Sequence, residues 1–224
     1  MSANLAALIW EATLQTLYMV AVSGLIGTAI GLPLGVFLAT SKRGELMSAP
    51  LANRILGLIV NAMRSIPFII LVVAIIPFTR AIAGTSIGTT AAIVPLTLAA
   101  APFIARIVET AIRDVDGGLI EAARAMGANP GQIIRKVLLP EALPGIVLGL
   151  TLAMVSLIGY SAMVGAVGGE GLGDLGIRYG YQRFMPGVML VVVVVLIVLV
   201  QAVQSTGEWI ARRLDHRAAK DRGP

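Results

Sequence analysis

Phe184 to Gly207 reads FMPGVMLVVVVVLIVLVQAVQSTG, 24 residues without a charged side chain. Its centre, Val191-Val192-Val193-Val194-Val195, shows no alternation. A strand of a membrane barrel alternates apolar and polar residues, so this is not one. A helix crossing the hydrocarbon core needs about 20 apolar residues, and lipid demands that such a segment satisfy its own backbone. The same reading repeats along the chain. The 30 residues between Glu11 and Lys42 are neutral, as are 81–105 and 142–169, and 55–79 carries only Arg64. Spans are expected at about 13–40, 55–79, 88–112, 141–165 and 186–210, within one domain covering 1–224. The expected fold is an all-α integral membrane protein with five transmembrane helices.

Composition agrees with this. Of 224 residues, 57% are apolar and 13% charged, roughly half the charged share of a soluble domain. An ordinary soluble enzyme, a disordered chain and a disulfide-stapled domain are excluded, and five apolar blocks in succession do not suit the buried helices of a soluble protein. The absence of Cys removes thiolate ligands and cysteine nucleophiles. The N-terminal block lacks a basic leader and is too long for a signal peptide, so it reads as an uncleaved first span.

Seventeen Lys and Arg residues set the expected orientation. With the N-terminus outside, 12 of them (Lys42, Arg43, Arg54, Arg113, Arg124, Arg135, Lys136, Arg212, Arg213, Arg217, Lys220, Arg222) lie inside. Arg80, Arg178 and Arg183 lie outside, and Arg64 and Arg106 within spans. The basic C-terminal tail reads as a cytoplasmic juxtamembrane anchor rather than a nucleic-acid patch, and His216 within it as solvated. Gly27, Gly31 and Gly35, and again Gly145 and Gly149, recur every four residues and offer small faces for close helix packing, a second copy included. Pro33, Pro67, Pro77, Pro95 and Pro102 should kink their helices. Arg106 and Glu109 can meet on one helix face. Together with Arg64 they are expected toward the cytoplasmic ends of their spans, paired or snorkelling. No series of Asp, Glu and His crosses the spans, which argues against a proton-driven carrier.

Residues 113–140 form the cytoplasmic segment between spans three and four. Residues 118–126 favour a helix that Gly127 can end. Asn129 is placed as the N-cap of a second short helix, with Pro130 at its first position and a break at Leu139-Pro140. From the residues alone, this is an amphipathic elbow on the inner leaflet.

The same stretch resembles the conserved cytoplasmic loop of ABC importer permeases. Glu121-Ala122-Ala123 is followed after three residues by Gly127, and after nine more by Val137, where the family pattern has Ile; Leu139-Pro140 follows. Further strings resemble the permease family of bacterial methionine importers: Arg64-Ser65-Ile66-Pro67-Phe68-Ile69-Ile70-Leu71, Ile76 to Arg80, Gly84 to Gly88, Ala91 to Thr97, Ala101 to Arg106, and Gly159-Tyr160-Ser161-Ala162-Met163. The resemblance covers most of residues 60–180. It implies a multi-pass protein of the bacterial cytoplasmic (inner) membrane, acting as a homodimer. Its partners would be two ATP-binding ABC subunits, which hold ATP and Mg, and an extracytoplasmic methionine-binding protein. The cargo would be L-methionine and often D-methionine. Glu121, Ala122, Ala123, Arg124 and Gly127 would form the coupling helix that docks on the ATPase. Met163, beside Tyr160 and Ser161, could gate the pathway, since a flexible apolar side chain can plug a hydrophobic constriction; ordinary core packing is the alternative.

Other signals fail. No Gly-Lys pair occurs, so there is no P-loop. Gly171-Leu172-Gly173-Asp174-Leu175-Gly176 fits a dinucleotide pattern but follows a span rather than a strand. It is expected to lie in a compact outer loop, 165–176, where a binding protein could land. One His permits no Ser-His-Asp set, and no ligand cluster suggests a metal, so no catalysis, no cofactor in this chain and no nucleic-acid partner are expected. The alternatives are an ABC permease for another small amino acid or peptide, an ion-gradient-driven carrier, and a non-transporting scaffold.

Overall fold

The computed structural model describes residues 3–42 and 44–215; the readings of Arg43, His216, Arg217, Lys220 and Arg222 fall outside them. Every regular element among the described residues is helical. α1 (Ala3–Thr40) starts ten residues ahead of the expected first span. Its hydroxyls pose no cost in an apolar setting. Thr13, Ser23, Thr28 and Thr40 each donate to the carbonyl four residues back, at 2.5–2.8 Å.

The second expected span is not one rod. α2 (Pro50–Ser65) stops, and α3 (Phe68–Ala74) leaves it at 100°. Pro67 explains the break: it has no N–H and holds Ile66 extended, with ψ 123°. α4 (Ile76–Ala83) follows with Pro77 in its first turn and ends on Gly84, which is left-handed at φ +72°.

α5 (Thr89–Arg113) is the central strut. A side-chain carbon on Gly27 would meet Ala100 Cβ at 2.8 Å, one on Gly31 the Ala101 carbonyl at 2.6 Å, and one on Gly35 the Ala105 carbonyl at 2.5 Å. On a neighbouring face of α5, Gly149 packs on Ile107 and Gly145 on Ala111. The two glycine faces thus let α1 and α8 close on neighbouring faces of α5 and meet each other, Gly24 of α1 lying against Met154 of α8.

α6 (Gly117–Ala125) follows, then α7 (Pro130–Ile133), a π-helical turn (Ile134–Leu138) and α8 (Leu139–Gly165). The expected break at Leu139-Pro140 does not occur. The chain stays helical from Pro130 to Gly165, because a widened turn ahead of Pro140 gives its ring room. The second short helix expected in this segment is therefore not a separate piece but the first turns of the fourth long helix.

The glycine-rich stretch after α8, expected as a compact outer loop, is compact but partly helical. It forms α9 (Gly171–Leu175) and a second π-helical segment (Gly176–Gln182), and Gly171, Leu172, Gly173, Leu175 and Gly176 are buried. Gly173 lies against the Ala162 backbone and Gly165 against Asp174 N, so a side chain at either glycine would collide with main chain. α10 (Pro186–Leu214) closes the bundle. Four helices are long and apolar enough to cross a membrane among the described residues, and α2 with α3 makes a bent fifth.

Candidate functional site

α6 projects from one end of the bundle, and both its ends are chemically fixed. Asp116 is the N-cap: its Oδ1 accepts from Gly118 N at 2.7 Å. At the other end, Gly127 N donates to the Arg124 carbonyl at 2.9 Å and Ala128 N to the Ala123 carbonyl at 3.0 Å. This paired closure needs a left-handed residue, and Gly127 has φ +81°. The next cap follows at once. Asn129 Oδ1 accepts from Gln132 N, and Gln132 Oε1 from Asn129 N, both at 2.9 Å.

Ala123 is the anchor of α6, buried in the main core. Glu121, Ala122, Arg124 and Gly127 are exposed, as are Leu119 and Met126, the latter at 82%. The five residues singled out in the sequence thus share one short capped helix and its stop, with one buried and four turned outward. An exposed apolar and charged face on a fixed helix is what a partner surface requires.

The same end of the bundle holds an ionic cluster. Glu109 is buried and takes Arg106 on Oε2 and Arg113 on Oε1, the latter at 2.7 Å. Arg106 Nη2 also donates to the Gly57 carbonyl at 3.1 Å and to Asn61 Oδ1 at 2.9 Å, which ties α5 to α2. Arg113 Nη2 donates to the Leu38 carbonyl of α1 at 3.2 Å. Asn53 Nδ2 donates to that same carbonyl at 2.8 Å and to Ser41 Oγ at 2.9 Å. Arg64 differs from the sequence expectation. Since α2 ends at the Pro67 break, Arg64 stands at the far end of that helix, over the Phe103 ring at 5.8 Å. Phe103 is ten residues before Arg113, about 15 Å along α5.

Tyr160, Ser161 and Met163 lie on α8 but do not share one face. Tyr160 stacks on Phe68, with ring centroids 4.4 Å apart. Ser161 is buried and donates to the Ile158 carbonyl at 2.7 Å. Met163 is 48% exposed. Ser161 is therefore a packed residue of the interior, while Met163 faces outward.

At the end opposite α6, two residues absent from the sequence reading hold α9. Gln15 Oε1 accepts from Gly171 N at 3.0 Å, and Thr16 Oγ1 accepts from Leu172 N at 2.9 Å. They satisfy the free amides of a buried helix start, behind Glu170 in a left-handed conformation at φ 62°. The only signal in the sequence was two adjacent polar residues inside a neutral block. Among the described residues, no three carboxylates or imidazoles converge where a metal ion could sit.

Residues 31–216 match the family described as "Binding-protein-dependent transport system inner membrane component". The chain is 58% identical over 210 residues to the probable D-methionine transport system permease protein MetI of Vibrio cholerae, covering 94% of this chain and 93% of that one. It is 58% identical over 157 residues to the D-methionine transport system permease protein MetI of Escherichia coli K12, covering 70% of each. Among solved structures, it is similar to one of the inward facing conformations of the MetNI methionine ABC transporter. That likeness has a TM-score of 0.94 and 52% identity, and covers 96% of this chain and 100% of the other. An amino acid ABC transporter crystallised with histidines shares the fold, with a TM-score of 0.78 at 19% identity over 93% and 94% of the two chains.

Proposed function

We propose, for a chain that belongs to the family of binding-protein-dependent transport system inner membrane components, that it is the permease of an ATP-driven methionine importer. It is a transport component and not an enzyme. The observation that carries this reading is the likeness along 94% and 96% of the chain to proteins of methionine transport. Two copies line a pathway between them in the bacterial inner membrane, with the N-terminus outside and the α6 end in the cytoplasm. The bias of Lys and Arg toward that end supports the orientation. An extracytoplasmic binding protein delivers L- or D-methionine, and two ATPase subunits hold ATP and Mg.

Coupling runs through α6. Glu121, Ala122, Arg124 and Gly127 present the surface on which an ATPase subunit docks, and Ala123 fixes that surface to the core. The helix from Pro130 to Gly165 then carries the movement across the membrane as one piece. A bundle with two packings converts it into outward and inward access. Tyr160 and Met163 narrow the pathway, and Ser161 supports their turn of α8.

Reconstitution with the ATPase and binding protein in vesicles tests this. Methionine uptake should require ATP, and D-methionine should compete where unrelated amino acids do not. Uptake without ATP would refute the reading. Changing Glu121 to Ala and Gly127 to Leu together should leave insertion intact and separate ATP hydrolysis from uptake; unaltered coupling would remove α6 from the mechanism.

A further inference from the structure

Arg64 is a cation in search of an anion. It is exposed, and among the described residues its one recorded partner is the Phe103 ring; no carboxylate stands in ion-pair reach. It lies fourteen residues beyond Pro50, about 21 Å along α2. A charge at such depth is costly unless paired or hydrated. Its neighbour Arg106 is the contrast, paired with the Glu109 carboxylate that Arg113 shares and further bonded to Gly57 and Asn61.

Both guanidiniums open onto one groove of about 490 Å³ between α5 and α8, within the size range of small-molecule sites. One guanidinium there has a carboxylate partner, and among the described residues the other has none. The walls near Arg64 are apolar: Phe103 and Ile107 from α5, Leu148 and Leu152 from α8. Leu148 and Leu152 are one helical turn apart and 44% and 54% exposed. The groove runs from Phe103 to Asp114, eleven residues or about 16 Å of α5, and so opens toward the α6 end.

We infer that Arg64 is the counter-charge for the carboxylate of the amino acid in transit, with the amino acid's apolar side chain lying along Phe103, Leu148 and Leu152. The inference rests on the methionine-importer reading above. A guanidinium suits a carboxylate because it offers two parallel donors. An unbranched apolar side chain suits a smooth apolar wall. A single guanidinium in an open groove also binds weakly enough to let cargo leave, as a conduction path requires. The phosphate of an anionic lipid is the other oxyanion that could reach this position.

The test uses the complete transporter, with ATPase and binding protein, in phosphatidylcholine vesicles with and without phosphatidylglycerol. Arg64→Gln should lower ATP-driven methionine uptake about tenfold or more, the loss expected on removing charge-assisted hydrogen bonds. Arg64→Lys should recover part of it, and both results should be the same in the two vesicle types. Assembly with the ATPase on size exclusion checks that each variant is folded. In nanodiscs without the binding protein, labelled methionine should bind the wild type and be displaced by norleucine but not by methioninamide, which lacks the carboxylate. Arg64→Gln should lose that binding. Equal uptake by Arg64→Gln and wild type, displacement by methioninamide, or a deficit confined to phosphatidylglycerol vesicles would each overturn the assignment, the last in favour of a lipid headgroup. A wild type with no ATP-driven methionine uptake would instead overturn the importer reading, and the nanodisc measurement would then decide on Arg64 by itself.

Discussion

Glu109→Gln removes a charge and almost no volume, so its effect reports electrostatics rather than packing. In the structure one carboxylate, 6% exposed, pairs with both Arg106 and Arg113. Through these it ties α5 to the Gly57 carbonyl on α2 and the Leu38 carbonyl on α1. Removing one partner of a buried pair costs about 3–5 kcal/mol. The arginine side chains are 25% and 35% exposed, so water screens part of this. The amide oxygen of the substituted side chain can still accept one hydrogen bond, worth about 1 kcal/mol. A net loss of about 2 kcal/mol follows. Unfolding midpoints in mixed micelles should be measured for the wild type, Glu109→Gln, Arg113→Gln and the double variant. The cycle should give a coupling energy of about 1–2 kcal/mol, within the range for residues in one ionic network. A Glu109→Gln protein within about 0.5 kcal/mol of the wild type, the scatter of ordinary surface changes, would refute the claim that this carboxylate clamps three helices. So would a strictly additive cycle.

Gly173→Ala should cost about 1–3 kcal/mol, because the added carbon meets the Ala162 main chain, which cannot step aside. Gly187→Ala, with open space around it, is the matched control and should leave thermal stability unchanged or slightly higher. Thr16→Val keeps the shape but leaves the buried Leu172 N–H without its acceptor, a loss of about 1–3 kcal/mol that should lower the thermal midpoint measured in detergent. Gly127→Ala forces a side chain into a conformation at φ +81° at about 1–2 kcal/mol. It should fray the end of α6, so that hydrogen exchange at Gly127 and Ala128 rises and methionine uptake falls faster than ATP hydrolysis.

The neutral blocks made the long helices legible, since lipid admits few other structures for such runs. The caps were legible too: Asn129-Pro130 and Gly127 are short-range signals, and their chemistry depends on residues two to five positions away. The glycine spacing in α1 and α8 announced close packing but not its target. That both faces close on α5 is a tertiary fact, set by Ala100, Ala101 and Ala105 for α1 and by Ile107 and Ala111 for α8. Pro67 announced a bend but not that it reaches 100°, because apolar content does not reveal direction and a sharply bent pair of helices has the same hydropathy as a straight one. Residues 165–176 were misread for a related reason. Glycines usually mark loops, yet here their missing side chains let α9 press against α8. Nothing in a hydropathy profile separates a glycine that frees the backbone from one that makes room for a neighbour.

The contrast in proline placement between α5 and α10 fits the same constraint on lipid-exposed backbone, although α1 carries an exposed interior proline, Pro33, seven residues before its end. Pro95 and Pro102 sit in the middle of α5 and deprive the carbonyls of Ala91 and Leu98 of their helical donors. In hydrocarbon each unmatched carbonyl costs several kcal/mol; inside protein, neighbouring helices and local adjustment can absorb it. The helix that carries these prolines is the one most enclosed: 61% of its most apolar stretch is buried, against 11% for α10. α10 is longer, with 29 residues, yet its one proline is Pro186 at its first position, where no donor is needed. An interior proline in α10, such as Val194→Pro, would face lipid with nothing to satisfy the freed carbonyl. It should cost about 3 kcal/mol or more and fail to accumulate in the membrane. Pro102→Ala, inside the protein, should accumulate as the wild type does. Equal membrane levels of Val194→Pro and Pro102→Ala would show that burial does not govern where this chain tolerates proline.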